Sequence, residues 1–181
     1  MFLLRMLMKK GRGGTMDPLH VSMTGVRMGE SFLQVGCDDK ALLAGLAAKV
    51  GLSGTAAVAA FNDEQVKRAQ GIGARVGALI DVHNVHDRPE WPEFTADQFD
   101  MVVIDDTADG FAGLDAGARQ SCLRNALRAV RPGGRIEVIA RVKSDARGYE
   151  PLNELSAAGF KPVRLLADRD QYRFLEGLRT S

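Results

Sequence analysis

Residues 31–40 read Ser31-Phe32-Leu33-Gln34-Val35-Gly36-Cys37-Asp38-Asp39-Lys40. A short apolar run stops on Gly36, and Ala41-Leu42-Leu43-Ala44-Gly45-Leu46-Ala47-Ala48 follows at once with helical spacing. Strand, tight turn and helix form the unit that sets free helix N–H groups and a bare glycine backbone beside a small ligand. Here a single glycine, Gly36, serves the turn. Asp38 or Asp39 is placed to cap the helix by accepting first-turn N–H groups, a contribution of about 1 kcal/mol. Cys37, directly after the glycine, reads as a small apolar filler rather than a reactive thiol.

The same alternation continues in both directions. Strand-like runs fall at 31–36, 55–61, 78–83, 99–104 and 135–140. Between them lie helical stripes: Leu42, Leu43, Leu46, Ala47 and Val50; then Val66, Ala69 and Ile72 behind the helix-start cluster Asn62-Asp63-Glu64. Leu123, Ala126, Leu127 and Val130 make a third stripe, which ends at Pro132-Gly133-Gly134. Strands alternating with helices of this length predict right-handed βαβ units, a doubly wound and mainly parallel sheet of about seven strands, and helices on both faces. The end differs. A helix over 152–159 precedes strands at 160–166 and 172–178, whose connection is short enough only for antiparallel neighbours.

At 181 residues one domain is expected, over 25–181, after a segment 1–24 that is partly flexible or packs on the core. A net charge of +1 gives no global field for nucleic acid or an anionic membrane. Two cysteines are too few for a disulfide framework, and a cytoplasmic location is expected. The first ten residues, rich in Met and Leu, are broken by Arg5 and fall short of the ~20 apolar residues of a membrane span.

Three stretches resemble the class I S-adenosylmethionine-dependent methyltransferase family, and the similarity covers roughly residues 25–178. Phe32-Leu-Gln-Val-Gly-Cys37 is similar to its first-strand motif, Phe99-Asp-Met-Val-Val-Ile-Asp105 to its fourth strand, and Leu123 to Ile136 to its helix, Pro-Gly-Gly turn and fifth strand. The resemblance implies S-adenosyl-L-methionine as cofactor, with Gln34, Gly36, Cys37, Asp38, Lys40, Phe61, Asn62, His83, Asn84 and Asp105 around it. It also implies methyl transfer to a small molecule. Three departures stand out: Gln34 replaces an acid, Asp38 and Lys40 replace the second and third glycines, and Ala60 replaces the ribose-binding acid. In a working site Lys40 meets the ligand carboxylate and an aspartate faces its ammonium or sulfonium. The alternative from another class is a non-catalytic scaffold that binds a partner or forms a homodimer.

Asp105 and Asp106 close the fourth strand, where doubly wound folds place ligands. Each is a candidate general base for an oxygen or nitrogen acceptor, or a cap for the next segment. Similar aspartates bind a divalent cation in catechol-type O-methyltransferases, but the acid-amide pair needed after the fifth strand is replaced by Ile139-Ala-Arg-Val-Lys143. No metal is therefore expected. His83 and His86 with flanking aspartates lack a fourth ligand. The Asn/Asp-Pro-Pro-aromatic motif of nucleic-acid amino-group methyltransferases is missing, which argues against DNA or RNA as substrate. A nicotinamide site would need Gly-x-Gly-x-x-Gly and an acid closing the second strand, and the chain has neither. Trp91, between Glu90 and Pro92, either lids an aromatic ligand or packs its loop onto the sheet.

Overall fold

Side chains of successive strand residues point to opposite faces, and burial on both faces is what makes the central strands mostly apolar. In the computed structural model, which describes residues 17–86, 88–143 and 148–181, the elements run as follows. They are α1 (Pro18–Met23), β1 (Ser31–Val35), α2 (Lys40–Val50), β2 (Thr55–Ala60), α3 (Asp63–Val76), β3 (Ile80–Asn84), β4 (Phe99–Asp106), α4 (Ala116–Ala129), β5 (Val130–Arg141), α5 (Pro151–Ala158), β6 (Val163–Arg169) and β7 (Tyr172–Leu178). The strands form one sheet of order β3-β2-β1-β4-β5-β7-β6. Pairing is parallel from β3 to β5 and antiparallel at β5–β7 and β6–β7, the architecture the sequence predicts.

Along β4, Val102 and Ile104 enter one core with α4 and α5. Met101 and Val103 enter the other with α1, α2 and α3. The crossovers from β1 and β4 leave toward opposite faces, so the chain order reverses between these two strands. Their C-terminal ends are thus the point where an open α/β sheet holds a ligand.

Four boundaries differ from the sequence reading. Pairing resumes at Val130, directly after α4, and the ladder with β4 is interrupted until Arg135 opposite Met101. Pro132-Gly133-Gly134 occupies the irregularity, and a side chain at Gly134 would meet the Asp100 carbonyl at 2.7 Å. β6 starts at Val163 because Phe160 is buried in the core and Pro162 has no N–H to give to a ladder. The hairpin turn shrinks to Asp170 and Gln171, with Asp170 at φ 57°. β3 ends at Asn84 rather than His83.

Part of the N-terminal segment packs as α1, capped by Asp17, whose carboxylate accepts the Leu19 N–H. The remaining expectations for the start of the chain concern residues 1–16, which lie outside the described residues. α1 sits on Gly45 of α2: a Cβ there would come within 2.7 Å of a Val21 methyl. Gly45→Ala is therefore expected to push α1 off α2 and to lower stability by about 1–3 kcal/mol, read from urea unfolding. Unchanged stability would mean that α1 does not hold this contact in solution.

Candidate functional site

Gly36 follows β1 at φ 78°, a conformation that favours glycine, and a Cβ there would lie 3.1 Å from the Asp105 carbonyl. The backbone can therefore approach the end of β4 closely. Asp39 caps α2, its Oδ1 accepting from Ala41 N at 2.8 Å and Leu42 N at 3.0 Å. Asp105, buried at the end of β4, accepts the N–H groups of Asp38 and Asp39, both at 2.8 Å, and the Thr107 hydroxyl at 2.6 Å. Burial pushes its carboxyl up to about 6, while these donors favour the charged form. Four backbone donors that such a turn usually leaves free are thus taken by the chain's own carboxylates.

Gln34 is fully buried beneath the turn. Its Nε2 donates to the Gly36 carbonyl at 3.1 Å and reaches Asp105 Oδ2 at 3.5 Å. An acid at this position would set a second carboxylate against Asp105 in a dry site, whereas the amide donates to it. Cys37 is buried, and burial first, then the nearby Asp105, pushes its thiol up to about 12. It is no thiolate at neutral pH. Lys40 is exposed on the first turn of α2.

Asp38 and α3 make a brace that has no local signature in the sequence. Asp38 Oδ1 accepts from Gln65 Nε2 at 3.1 Å and lies 3.4 Å from Arg68 Nη1. Arg68 also donates to the Cys37 carbonyl at 2.5 Å. Gln65 Oε1 accepts the Phe61 N–H at 2.9 Å. One side chain thus ties the turn after β2 to the turn after β1. Asn62 caps α3 through Gln65 N at 2.9 Å.

Beside this brace the strand ends open into a slot of about 340 Å³, within the range of small-molecule sites. Phe61, Val85, Pro89, Trp91 and Leu114 give it an apolar wall, and His86, Arg88 and Asp115 add polar and charged groups. The Phe61 ring also reaches within 3.6 Å of a Cβ built on Gly36, so slot and glycine turn share one wall. Trp91 packs its loop onto the sheet, 2% exposed and edge-on to Phe94. Neither His83 nor Asn84 lines the slot. The His83 ring packs edge-on to Phe94 with its Nε2 2.8 Å from an Asp81 carboxylate oxygen, and Asn84 donates to Asp63 at 2.9 Å. Because β3 runs one residue further than its apolar run suggests, Val85 and His86 take the edge instead.

Asp106 Oδ1 accepts the N–H groups of Phe111 and Ala112, both at 2.9 Å, and so fastens the β4–α4 loop. Its Oδ2 is buried without a partner among the described residues, and burial pushes the carboxyl up to about 7. Arg119, paired with Glu154 at 2.8 Å, holds the same loop through the Ala112 and Leu114 carbonyls. A second cavity, of about 650 Å³, lies at the opposite ends of the strands, beside the starts of β2 and β3, and among the described residues Asp81 is the one charged residue on its wall. It lacks convergent polar groups. Among the described residues no group of three His, Cys, Asp or Glu side chains is placed to hold a metal ion.

Three comparisons bear on this site. The model of the ubiE/COQ5 methyltransferase family matches residues 17–179. The chain is 28% identical over 134 residues to the ubiquinone/menaquinone biosynthesis C-methyltransferase UbiE of Cronobacter sakazakii, covering 74% of this chain and 50% of that protein. It is 26% identical over 161 residues to the protein of the same name from Salmonella arizonae, covering 86% and 61%. The chain thus spans about half to three fifths of these relatives. Its fold is similar to that of a SAM-dependent methyltransferase from Aquifex aeolicus, with TM-score 0.71, 19% identity and coverage of 98% and 97%. A TehB-like SAM-dependent methyltransferase from Corynebacterium glutamicum is also similar, with TM-score 0.65, 14% identity and coverage of 90% and 87%.

Proposed function

Because the chain belongs to the ubiE/COQ5 methyltransferase family, we propose that it binds S-adenosylmethionine across the ends of β1, β2 and β3 and methylates a small organic molecule. The observation that carries this reading is the Phe61 ring, which lines the slot and lies 3.6 Å from where a Cβ on Gly36 would be. A flat base fits a slot with an aromatic wall and a few polar groups, and the bare backbone at Gly36 admits the rest of the ligand. The bound cofactor supplies an electrophilic methyl group on a sulfonium.

The chain's own part is alignment. Asp105 and Asp39 consume the turn's N–H groups, which leaves Lys40 as the side chain at the start of α2 to meet a ligand carboxylate. Asp106 and Arg119 hold the β4–α4 loop at the mouth of the slot. Both aspartates at the end of β4 are buried and engaged in these bonds, so the reading assigns them to positioning. That suits an acceptor already nucleophilic without a side-chain base. The named relatives are C-methyltransferases of quinone biosynthesis, and an electron-rich ring carbon is an acceptor of that kind. The non-catalytic scaffold is a second reading for one reason: Asp38, held from α3 by Gln65 and Arg68, reaches across to Gly110 of the β4–α4 loop beside the Gly36 turn.

Trp91 is the single tryptophan and borders the slot, so its fluorescence reports occupancy. Titration with S-adenosylhomocysteine is expected to change its emission saturably. Phe61→Ala is expected to weaken that binding by roughly 1–3 kcal/mol, the worth of an aromatic stack on a base. An unchanged affinity in Phe61→Ala would place the ligand elsewhere.

A further inference from the structure

We propose that the outer edge of β3 pairs with the same edge of a second copy of this chain, antiparallel and about a two-fold axis at Val82. β3 and β6 are the outer strands of the sheet, and they are finished differently. β6 has a register shift between Leu165 and Ala167 and carries Arg164, Asp168 and Arg169, the irregularity and charge that keep an edge from pairing. β3 runs beside β2 with no register shift and holds no Lys, Arg or Pro. Leu79, directly before it, is 98% exposed.

The backbone supplies the register. The Val85 N–H goes to the Ala60 carbonyl of β2. Successive strand residues turn their N–H and C=O groups to alternate sides, so Ile80, Val82 and Asn84 present theirs outward. In an antiparallel pair centred on Val82, Val82 meets its own copy and Ile80 meets Asn84, both as hydrogen-bonded pairs. The residues between them fall into the close pairs without hydrogen bonds, which sets Asp81 opposite His83 of the second copy. The two-fold axis repeats that carboxylate–imidazole pair, so the edge is complementary to itself. Within each copy His83 Nε2 already lies 2.8 Å from Asp81, and the axis then gathers two carboxylates and two imidazoles in alternation. Their side chains are 66% and 27% exposed, open to a partner. One step beyond the ladder, Leu79 stands opposite Val85 of the second copy, a residue that lines the slot. The exposed leucine of one copy thus extends the slot wall of the other. The pairing does not depend on the methyltransferase reading.

Sedimentation equilibrium of the whole chain tests this. Wild type is expected to form a reversible dimer at micromolar concentration. Val82→Pro removes only an outward N–H, a change that an edge strand tolerates. It is expected to raise the dissociation constant by about tenfold or more, as two hydrogen bonds across the axis are lost, with an unchanged circular dichroism spectrum. Asp81→Lys and His83→Asp each break the complementary pairs and are expected to be monomeric alone. Mixed together they are expected to dimerise, because Lys then faces Asp and His faces Asp across the axis, and this rescue also shows both variants folded. A wild type that stays monomeric overturns the proposal. If that monomer floats with phosphatidylcholine vesicles and Leu79→Lys does not, the edge belongs to a lipid surface instead. A dimer that survives Val82→Pro, or a mixture that stays monomeric, places the interface on another face and overturns it equally.

Discussion

Asp105→Ala is expected to cost the fold roughly 3–5 kcal/mol and to remove S-adenosylhomocysteine binding altogether. The carboxylate satisfies the N–H groups of Asp38 and Asp39, the Thr107 hydroxyl and part of the Gln34 amide from a wholly buried position. Alanine strands two backbone donors, one buried and one partly buried, each worth up to about 1–3 kcal/mol when left unsatisfied, and adds a small cavity. The loss falls on the turn itself. Asp38 then has a mobile backbone, and both the α2 cap and the Gly36 approach lose their reference point. Asp105→Asn keeps one acceptor and is expected to lie between the two. Urea unfolding and the Trp91 titration measure the two effects separately. A loss below about 1 kcal/mol with binding intact would mean that the turn is held by something other than this carboxylate.

Glu137→Gln is expected to stabilise the protein at alkaline pH. Glu137 lies in the middle of β5, 1% exposed, with its Oε2 unpartnered among the described residues. Burial pushes its carboxyl up to about 8, helped by Glu176 opposite it on β7 and resisted by Arg135. Arg164 is engaged with Glu176 at 2.8 Å. The folded pKa exceeds the ordinary glutamate value, so between about pH 4.5 and 8 the native state holds a proton that the unfolded chain releases. Stability from this group is complete at low pH and declines as pH rises through that window, by at most about 1.4 kcal/mol for each step of one in pH. The neutral amide of Gln carries no such dependence. Near pH 9 the variant is expected to be more stable than wild type by a few kcal/mol, of order 3, with the gap closing toward pH 5. Parallel curves for the two proteins from pH 5 to 9 would mean that Glu137 is charged in the native state.

The fold is legible in the sequence because its signals are local. Gly36 after an apolar run, Asp39 ahead of the Leu42 stripe, and the five-residue gap between 166 and 172 each report on neighbours in the chain. The candidate site is legible in outline for the same reason: strand ends converge, and Gly36, Phe61 and Asp105 sit on them. What the sequence hides joins distant segments. Gln65 and Arg68 meet Asp38 across 27 and 30 positions, and nothing in α3 beyond a buried glutamine announces the contact. The resemblance points to His83 and Asn84 after the third strand, whereas Val85 and His86 line the slot, because strand ends read from sequence are uncertain by a residue and one residue turns a side chain to the other face. Gln34 in place of an acid reads as a loss in the sequence alone. Its reason lies in Asp105, 71 positions away, whose charge a second carboxylate would oppose.

All of the site chemistry requires that the strand-end crevice accept the cofactor despite the aspartate that reaches across beside the Gly36 turn. Calorimetric titration of the whole chain with S-adenosylhomocysteine decides that point. Saturable one-to-one binding in the micromolar range is expected, abolished by Asp105→Ala and weakened by Phe61→Ala. A folded protein that gives no saturable heat up to millimolar ligand would contradict it and leave the scaffold reading in its place.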